Sequence, residues 1–307
     1  MIKKSGFTLI ELSIVLVIIG LVTGSILVGL DLITAASVRA ELSQIEKFQA
    51  ATNTFRGKYG YLPGDIPDPT AQQYGFPVRG TNIGEGDGNG TLIGGQADGP
   101  CSDQMQAGGE TGLFWVDLST AGLIEGKFTS ATNQPIAAGT YTSPVILAQY
   151  FPQARLGSGN YVYVYSGGYS GIVWPCDAAD SLNYFGVSAI AQIAAGGYLS
   201  PSLQNPGGLS GLTVSQAYNI DRKIDDGYPQ TGRVLALLLA HEATWASGDI
   251  YGNYGACGWT MQGCMPTTAA TSYATTNCYD NSGVAGPQQY SMKNASLLNC
   301  AVSIRFQ

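Results

Sequence analysis

FTLIELSIVLVIIGLVTGSILVGL, residues 7–30, is apolar apart from one carboxylate, Glu11, and a few hydroxyls. A helix needs about 20 apolar residues to cross the hydrocarbon core of a bilayer, and this run is long enough. Lys3 and Lys4 stand just before it. Basic residues stay on the cytoplasmic side, so the chain beyond the run is expected to be exported. A secretory signal shares the basic start, but its apolar core is about 7–15 residues long and closes on a small-residue cleavage site. Here the run is longer and no such site closes it. A plain anchor fits the length yet leaves Glu11 unexplained. A lone carboxylate among lipids is costly, so it marks a function and calls for a partner.

Beyond Leu30 the pattern changes with no proline to break it. Val38, Leu42, Ile45, Phe48 or Gln49, Thr52 and Phe55 recur every three or four residues, and Arg39, Glu41, Glu46 and Lys47 fall elsewhere on the wheel. That spacing predicts an amphipathic helix. One continuous helix from Phe7 to Lys58 would be roughly 78 Å long at about 1.5 Å per residue. Its first half would be apolar all round and its second half docked on a globular domain. Gly20, Gly24 and Gly29 let helices approach closely, and they are places where such a helix can bend.

The residues KKSGFTLIEL, from Lys3 to Leu12, resemble the prepilin N-terminus of type IV pilins and type II secretion pseudopilins. The resemblance is strong over residues 1–60 and weaker beyond. It implies that a prepilin peptidase cuts after Gly6 and methylates the new N-terminus, Phe7. It further implies that Glu11 is the assembly residue. The physical logic agrees. Cleavage leaves a positive amine on Phe7 at the start of an apolar helix, as costly there as the Glu11 carboxylate. The two charges can neutralise each other between neighbouring subunits. Attraction is strong in low dielectric but desolvation offsets much of it, so the pair acts chiefly to set register.

The rest of the composition is consistent with export. Only 11% of the 307 residues are charged, Gly (42) and Tyr (18) are abundant, and the formal net charge is −7. An acidic chain is a poor ligand for phosphate backbones, so no nucleic-acid partner is expected. Six cysteines, Cys101, Cys176, Cys257, Cys264, Cys278 and Cys300, show no zinc-finger spacing, and the single histidine, His241, lies outside any cysteine cluster. Disulfides in an oxidising compartment are the better reading. The pilin resemblance implies Cys278–Cys300 as a C-terminal disulfide loop; Cys257–Cys264 and Cys101–Cys176 would then remain.

Helix breakers arrive at Gly57 and Gly60, followed by a turn at Pro63-Gly64-Asp65. Residues 64–112 are rich in Gly, Asp and Pro and read as a long ordered loop. ETGLFWVDLSTAGLIEG (Glu110–Gly126) reads as a short buried helix ended by Gly122 or Gly126. YVYVYSG (Tyr161–Gly167), SGIVWPC (Ser170–Cys176) and NASLLNCAVSIRF (Asn294–Phe306) read as strands, while RVLALLLAHEATW (Arg233–Trp245) fits helix or buried strand. The fold class is α+β: a long N-terminal helix packed on a β-rich, pilin-like globular domain with long loops. The divisions are a cleaved leader at 1–6, the helix at 7–58 with its transmembrane part at 7–30, and an exported domain at 59–307.

Signs of catalysis are absent: there is no G-x-S-x-G elbow and no H-E-x-x-H around His241. No enzymatic activity is expected. GEGDGNGT (Gly84–Thr91) alternates Glu85, Asp87 and Asn89 with glycines, as the first ligands of a calcium loop do, but Gln96 stands where an EF-hand needs its bidentate carboxylate. A looser Ca²⁺ site using Glu85, Asp87, Asn89 and Asp98 competes with a plain glycine-rich turn stabilised by Asx hydrogen bonds, the favoured reading. KIDDGYPQTG (Lys223–Gly232), near Asp221, reads as a turn at Asp226-Gly227 leading to Pro229. Tyr251, Tyr254, Trp259, Tyr273, Tyr279 and Tyr290 could form a binding surface or a packed core. The expected protein is a structural subunit, single-pass in the inner membrane as a precursor and then part of a periplasmic or extracellular filament. Its partners would be the prepilin peptidase, copies of itself and related pilins. The alternative is a filament-tip adhesin.

Overall fold

The computed structural model describes residues 8–80, 86–92, 107–131, 144–166, 182–190, 192–194, 202–204, 211–229, 231–236, 278–279, 289–296 and 298–307. Helix α1 runs unbroken from Leu9 to Tyr59, 51 residues, and passes through Gly20, Gly24 and Gly29 without interruption. At about 1.5 Å per residue it is ~76 Å long. It ends where Gly60 takes the left-handed conformation (φ 84°), its N–H closing on Arg56 O at 2.8 Å. A side chain there would carry a steric cost, so Gly60 rather than Gly57 is the terminator.

Among the described residues the α-helices and strands that follow are α2 (Thr70–Gln73), α3 (Gly109–Thr120), α4 (Pro144–Tyr150), β1 (Asn160–Ser166), β2 (Asn183–Ala189), β3 (Gln192–Ala194), β4 (Ser202–Gln204), β5 (Leu212–Thr213), α5 (Val214–Ile224), β6 (Val234–Ala236), β7 (Leu298–Cys300) and β8 (Val302–Arg305). The main sheet has the order β1-β2-β8-β6 and is antiparallel throughout, with Val162 opposite Val187 and Phe185 opposite Ile304. β1 and β2 are buried on both faces, which explains why NYVYVYS shows little inside-out alternation. Aromatic and β-branched side chains fill such doubly covered strands well.

The second half of α1 supplies one wall of the core through Val38, Ile45, Phe48, Ala51 and Phe55. Phe48 meets the Trp115 ring of α3 edge-on at 4.9 Å, and Trp115 in turn meets Phe114 at 5.0 Å. Phe185 of β2 stacks on Phe306 at 4.3 Å. Polar bolts secure the helix: Gln44 Nε2 donates to Gln153 O (2.9 Å), Gln44 Oε1 accepts from Arg155 N (3.1 Å), and Gln49 Nε2 donates to Phe306 O (2.9 Å).

Glu41 does not lie on the open side of the wheel. It is fully buried, three positions after Val38 and four before Ile45, and accepts from Leu156 N at 3.3 Å. Burial pushes its carboxyl up to about 7, against the pull of the Arg155 and Leu156 amides. The C-terminal run is also not one strand: it divides at Ala301 into β7, paired with β5, and β8, in the main sheet. Of the ambiguous run at 233–245, Val234–Ala236 is strand β6; the remainder, like Ser170–Cys176, lies outside the described residues.

Candidate functional site

The first functional feature is a surface. Every described large apolar side chain from Leu9 to Ile33 is at least half exposed, while Val38, Ile45, Phe48 and Phe55, on the same helix, are at most 7% exposed. Water does not tolerate that much contiguous apolar area, and a patch of this size marks a lipid or protein interface. Ser13, Thr23, Ser25 and Thr34 donate their hydroxyls back to helix carbonyls three or four residues earlier, so each polar atom is satisfied without water. α1 is the helix, among the described residues, long and apolar enough to cross a membrane.

Glu11 stands at the open end of that surface, in the first turn. Thr8 is the N-cap, and the two residues form a capping box: Thr8 N and Thr8 Oγ1 donate to Glu11 Oε2 at 2.8 and 2.7 Å, and Glu11 N donates to Thr8 Oγ1 at 3.3 Å. The S/T-x-x-E signature was available in the sequence as Thr8-Leu-Ile-Glu11, and reading Glu11 only as an uncompensated charge overlooked it. The carboxylate therefore has an internal holder at the positive end of the helix dipole. The cap leaves its net negative charge in place. Gly6 and Phe7 lie outside the described residues.

The acidic glycine loop is the second feature. Gly86, Gly88 and Gly90 all have positive φ (61°, 75° and 84°), so successive N–H groups turn toward carboxylates on neighbouring segments. Gly86 N donates to Glu110 Oε1 (2.6 Å), Gly88 N to Asp65 Oδ1 and Gly90 N to Asp65 Oδ2 (both 2.8 Å). Asp87 and Asn89 make the Asx bonds of a glycine-rich turn, accepting from Asn89 N at 2.9 Å and Thr91 N at 2.6 Å. Asn183 of β2 closes the far end, accepting from Leu92 N and donating to Gly90 O.

Carboxylate oxygens of Asp65, Asp87 and Glu110 lie within 4.8 Å of one another, and these are the residues a divalent cation would use. Asp65 and Glu110 were not visible as partners of this loop in the sequence, because they come from the turn after α1 and from the first turn of α3. Burial, with Asp87 nearby, pushes Asp65 up to about 6, although the Gly88 and Gly90 amides pull it down. Glu85 and Asp98 lie outside the described residues. Next to the loop, Arg79 and Asp117 form a buried ion pair at 2.7 Å. Arg79 Nε also donates to Ile66 O, and Asp117 accepts from Gly64 N, so the pair fastens the segment after α1 to α3.

The third feature is the C-terminal staple. Cys278 and Cys300, the pair implied by the pilin resemblance, are joined across 22 positions. Tyr290, inside that loop, donates its hydroxyl to buried Asp221 of α5 at 2.8 Å, and Asp221 accepts from Gly227 N at 3.0 Å. Burial pushes Asp221 up to about 6. Asp225 accepts from Arg233 N, and Asp226 accepts from Tyr228 N, so the KIDDG stretch is a structural turn linking α5 to β6. Tyr279 and Tyr290 are buried, which removes them from any ligand-binding surface. Tyr251, Tyr254, Trp259, Tyr273, His241, Cys101, Cys176, Cys257 and Cys264 lie outside the described residues.

Residues 1–27 match the family model of the prokaryotic N-terminal methylation motif, the prepilin-type signal of type IV pilins and pseudopilins. That signal implies processing by a prepilin peptidase, and with one apolar N-terminal helix it is consistent with a membrane-anchored precursor. The match ends within α1, so it speaks for the membrane segment and not for the domain that follows. No curated protein and no solved structure matches the chain.

Proposed function

We propose that the chain is a structural subunit of a type IV pilus-like filament or type II secretion pseudopilus. It is held in the inner membrane as a single-pass precursor, cut between Gly6 and Phe7 and methylated on Phe7. It then enters the filament helix-first, with no catalytic task. The observation that carries this reading is the division of α1, which buries one half on its own domain and leaves the other half without any cover of its own. Lipid covers that half in the precursor; in a filament, the same halves of neighbouring copies would cover it. Exchanging lipid for helix contacts costs little, because both are apolar, so polar groups must decide where one helix stops against the next. Glu11 is the group placed to do this, opposite the Phe7 amine of a neighbour.

The capping box dictates the test. Glu11→Ala removes both the charge and one side of the cap, the latter worth about 1 kcal/mol of helix stability. Glu11→Gln keeps an acceptor for Thr8 and removes only the charge. Precursor insertion, cleavage and filament incorporation are followed by immunoblotting of membrane and sheared-filament fractions. Both variants are expected to insert and be cleaved, and both to be lost from filaments. Normal incorporation of Glu11→Gln would overturn the assembly role of the charge.

A further inference from the structure

The loop of residues 86–92 carries a chemical pattern that the filament reading does not use. Asn-x-Ser/Thr triplets, the acceptors of N-linked glycans, occur twice in the chain, as Asn89-Gly90-Thr91 and Asn294-Ala295-Ser296. The first has a carboxylate, Asp87, two positions before its asparagine; the second has Met292 there. Asn89 and Asp87 are both exposed, and Gly88 and Gly90 add no side chain that would crowd the Asn89 amide. The bonds within the loop leave this amide open to substitution. Asn89 Oδ1 accepts from Thr91 N at 2.6 Å, and Asn89 Nδ2 donates to Asp87 Oδ2 at 2.9 Å. An asparagine Nδ2 carries two hydrogens, so one can be replaced while the other still serves Asp87. The loop also lies away from the apolar half of α1: Gly88 and Gly90 donate to Asp65, just past the C-terminal end of the helix. A glycan there leaves the surface from Leu9 to Ile33 uncovered.

We propose that Asn89 is the acceptor of an N-linked glycan, delivered from a lipid-linked sugar diphosphate by a transferase that reads Asp87 and Thr91. This rests on the export part of the function above and not on the filament. In the transfer, Asn89 Nδ2 attacks the anomeric carbon of the first sugar. The N–C bond forms, the bond from that carbon to the diphosphate oxygen breaks, and its electron pair leaves with the lipid diphosphate. One Nδ2 proton passes to a base of the transferase, and nothing is oxidised or reduced. Asp87 gives the enzyme a charged handle that an Asn-x-Thr triplet alone lacks, because a cationic pocket holds a carboxylate by charge-assisted hydrogen bonds. Thr91 is only 9% exposed once the loop has closed, so transfer comes before closure. The exposed Asn89 then lets the closed loop keep its sugar. The apolar half of α1 holds acceptor and lipid-linked donor in one membrane, which raises the effective concentration of each for the other.

Mass spectrometry of the full-length chain purified from its own host tests this. The peptide containing Asn89 is expected to carry a sugar chain, seen as added mass and as sugar fragment ions, and the peptide containing Asn294 to carry none. Asn89→Gln and Thr91→Val are expected to lose the modification, while Thr91→Ser keeps it. Asp87→Asn is expected to lower occupancy by about tenfold, the loss of one charge-assisted hydrogen bond, and Asp87→Glu to stay within about twofold of the parent. An unmodified Asn89 in the parent chain would overturn the proposal, and that measurement depends on no variant folding. A glycan on Asn294 instead, or occupancy indifferent to Thr91→Val, would overturn it as well. Occupancy unchanged in Asp87→Asn would overturn the role of the carboxylate. Protease digestion of spheroplasts is run alongside: a domain that is cleaved but bare sinks the glycan alone, and a domain shielded by the membrane sinks the export reading beneath it.

Discussion

The two halves of α1 share one secondary structure and differ in everything that surrounds them. From Leu9 to Ile33 large apolar side chains point in all directions, and each of the described ones is at least half exposed. From Val38 to Phe55 they fall on one face and form a wall of the core. In the second half burial on the domain supplies the stability; in the first, the cover must come from lipid or from other chains. Removing a buried side chain therefore harms the fold, whereas removing an exposed one harms only what the helix docks into.

The comparison can be broken most sharply at Phe55. Phe55→Ala leaves a cavity among Tyr59, Phe76 and the core and is expected to cost about 4 kcal/mol in chemical unfolding of the domain. Ile18→Ala in the first half is expected to leave that transition unchanged while lowering filament yield. Equal destabilisation by the two would mean that the first half is covered by its own chain. Opening the Cys278–Cys300 staple with a double Cys→Ala change releases a loop of 22 positions and is expected to cost about 3 kcal/mol. An unchanged denaturation midpoint would show that Tyr290–Asp221 and β7 hold the region unaided.

The pH response sharpens the comparison further, because the carboxyls that burial raises, Glu41, Asp65 and Asp221, belong to the docked half and the domain. Glu41 (about 7), Asp65 (about 6) and Asp221 (about 6) all lie above the ordinary carboxylate range near 4. The folded state thus holds protons that the unfolded chain releases. Stability is fully present below about pH 4.5 for these groups and is lost as pH rises through 6 to 7. The domain is expected to melt at a higher temperature at pH 5 than at pH 7.5. Glu41→Gln should flatten part of that slope, recovering as much as about 3 kcal/mol at pH 7.5 and no more than about 1 kcal/mol at pH 5. A melting temperature that rises with pH would reverse the assignment. The smallest effect concerns the acidic loop. The oxygens of Asp65 already accept two backbone amides, so millimolar Ca²⁺ is expected to shift the melting temperature by less than about a degree. A rise of several degrees, lost in Asp65→Asn, would make the loop a cation site.

Much of the long helix was legible because its signals are local. The apolar run, the three- and four-residue spacing after it and Gly60 each act within a few residues, and α1 follows them closely. YVYVYS and ETGLFWVDLST announced β1 and α3 for the same reason. Glu41 was misplaced because periodicity ranks residue types, and a carboxylate reads as polar until a neighbouring loop covers it with amides. β2 and α5 went unread: NYFGVSA is short, and VSQAYNIDRKI mixes polar residues into its buried side. The capping box at Thr8 is local as well: its Thr-x-x-Glu spacing accounts for Glu11 as a cap besides accounting for it as a charge.

By itself the sequence determined the membrane-length helix, its charge at the entrance, the motif around Gly6–Phe7 and the α+β character of the chain. Each of these follows from neighbours along the backbone. Tertiary structure alone decided that Asp65 and Glu110 receive the amides of residues 86–90, that Arg79 meets Asp117, and that Tyr290 reaches Asp221. Those partners are separated by tens of residues, and a buried polar group finds its counterpart only where folding brings it. The same holds for the open face of α1. Its hydrophobicity is written in the run from Leu9 to Ile33, but that it stays uncovered by its own chain is decided by where the domain sits.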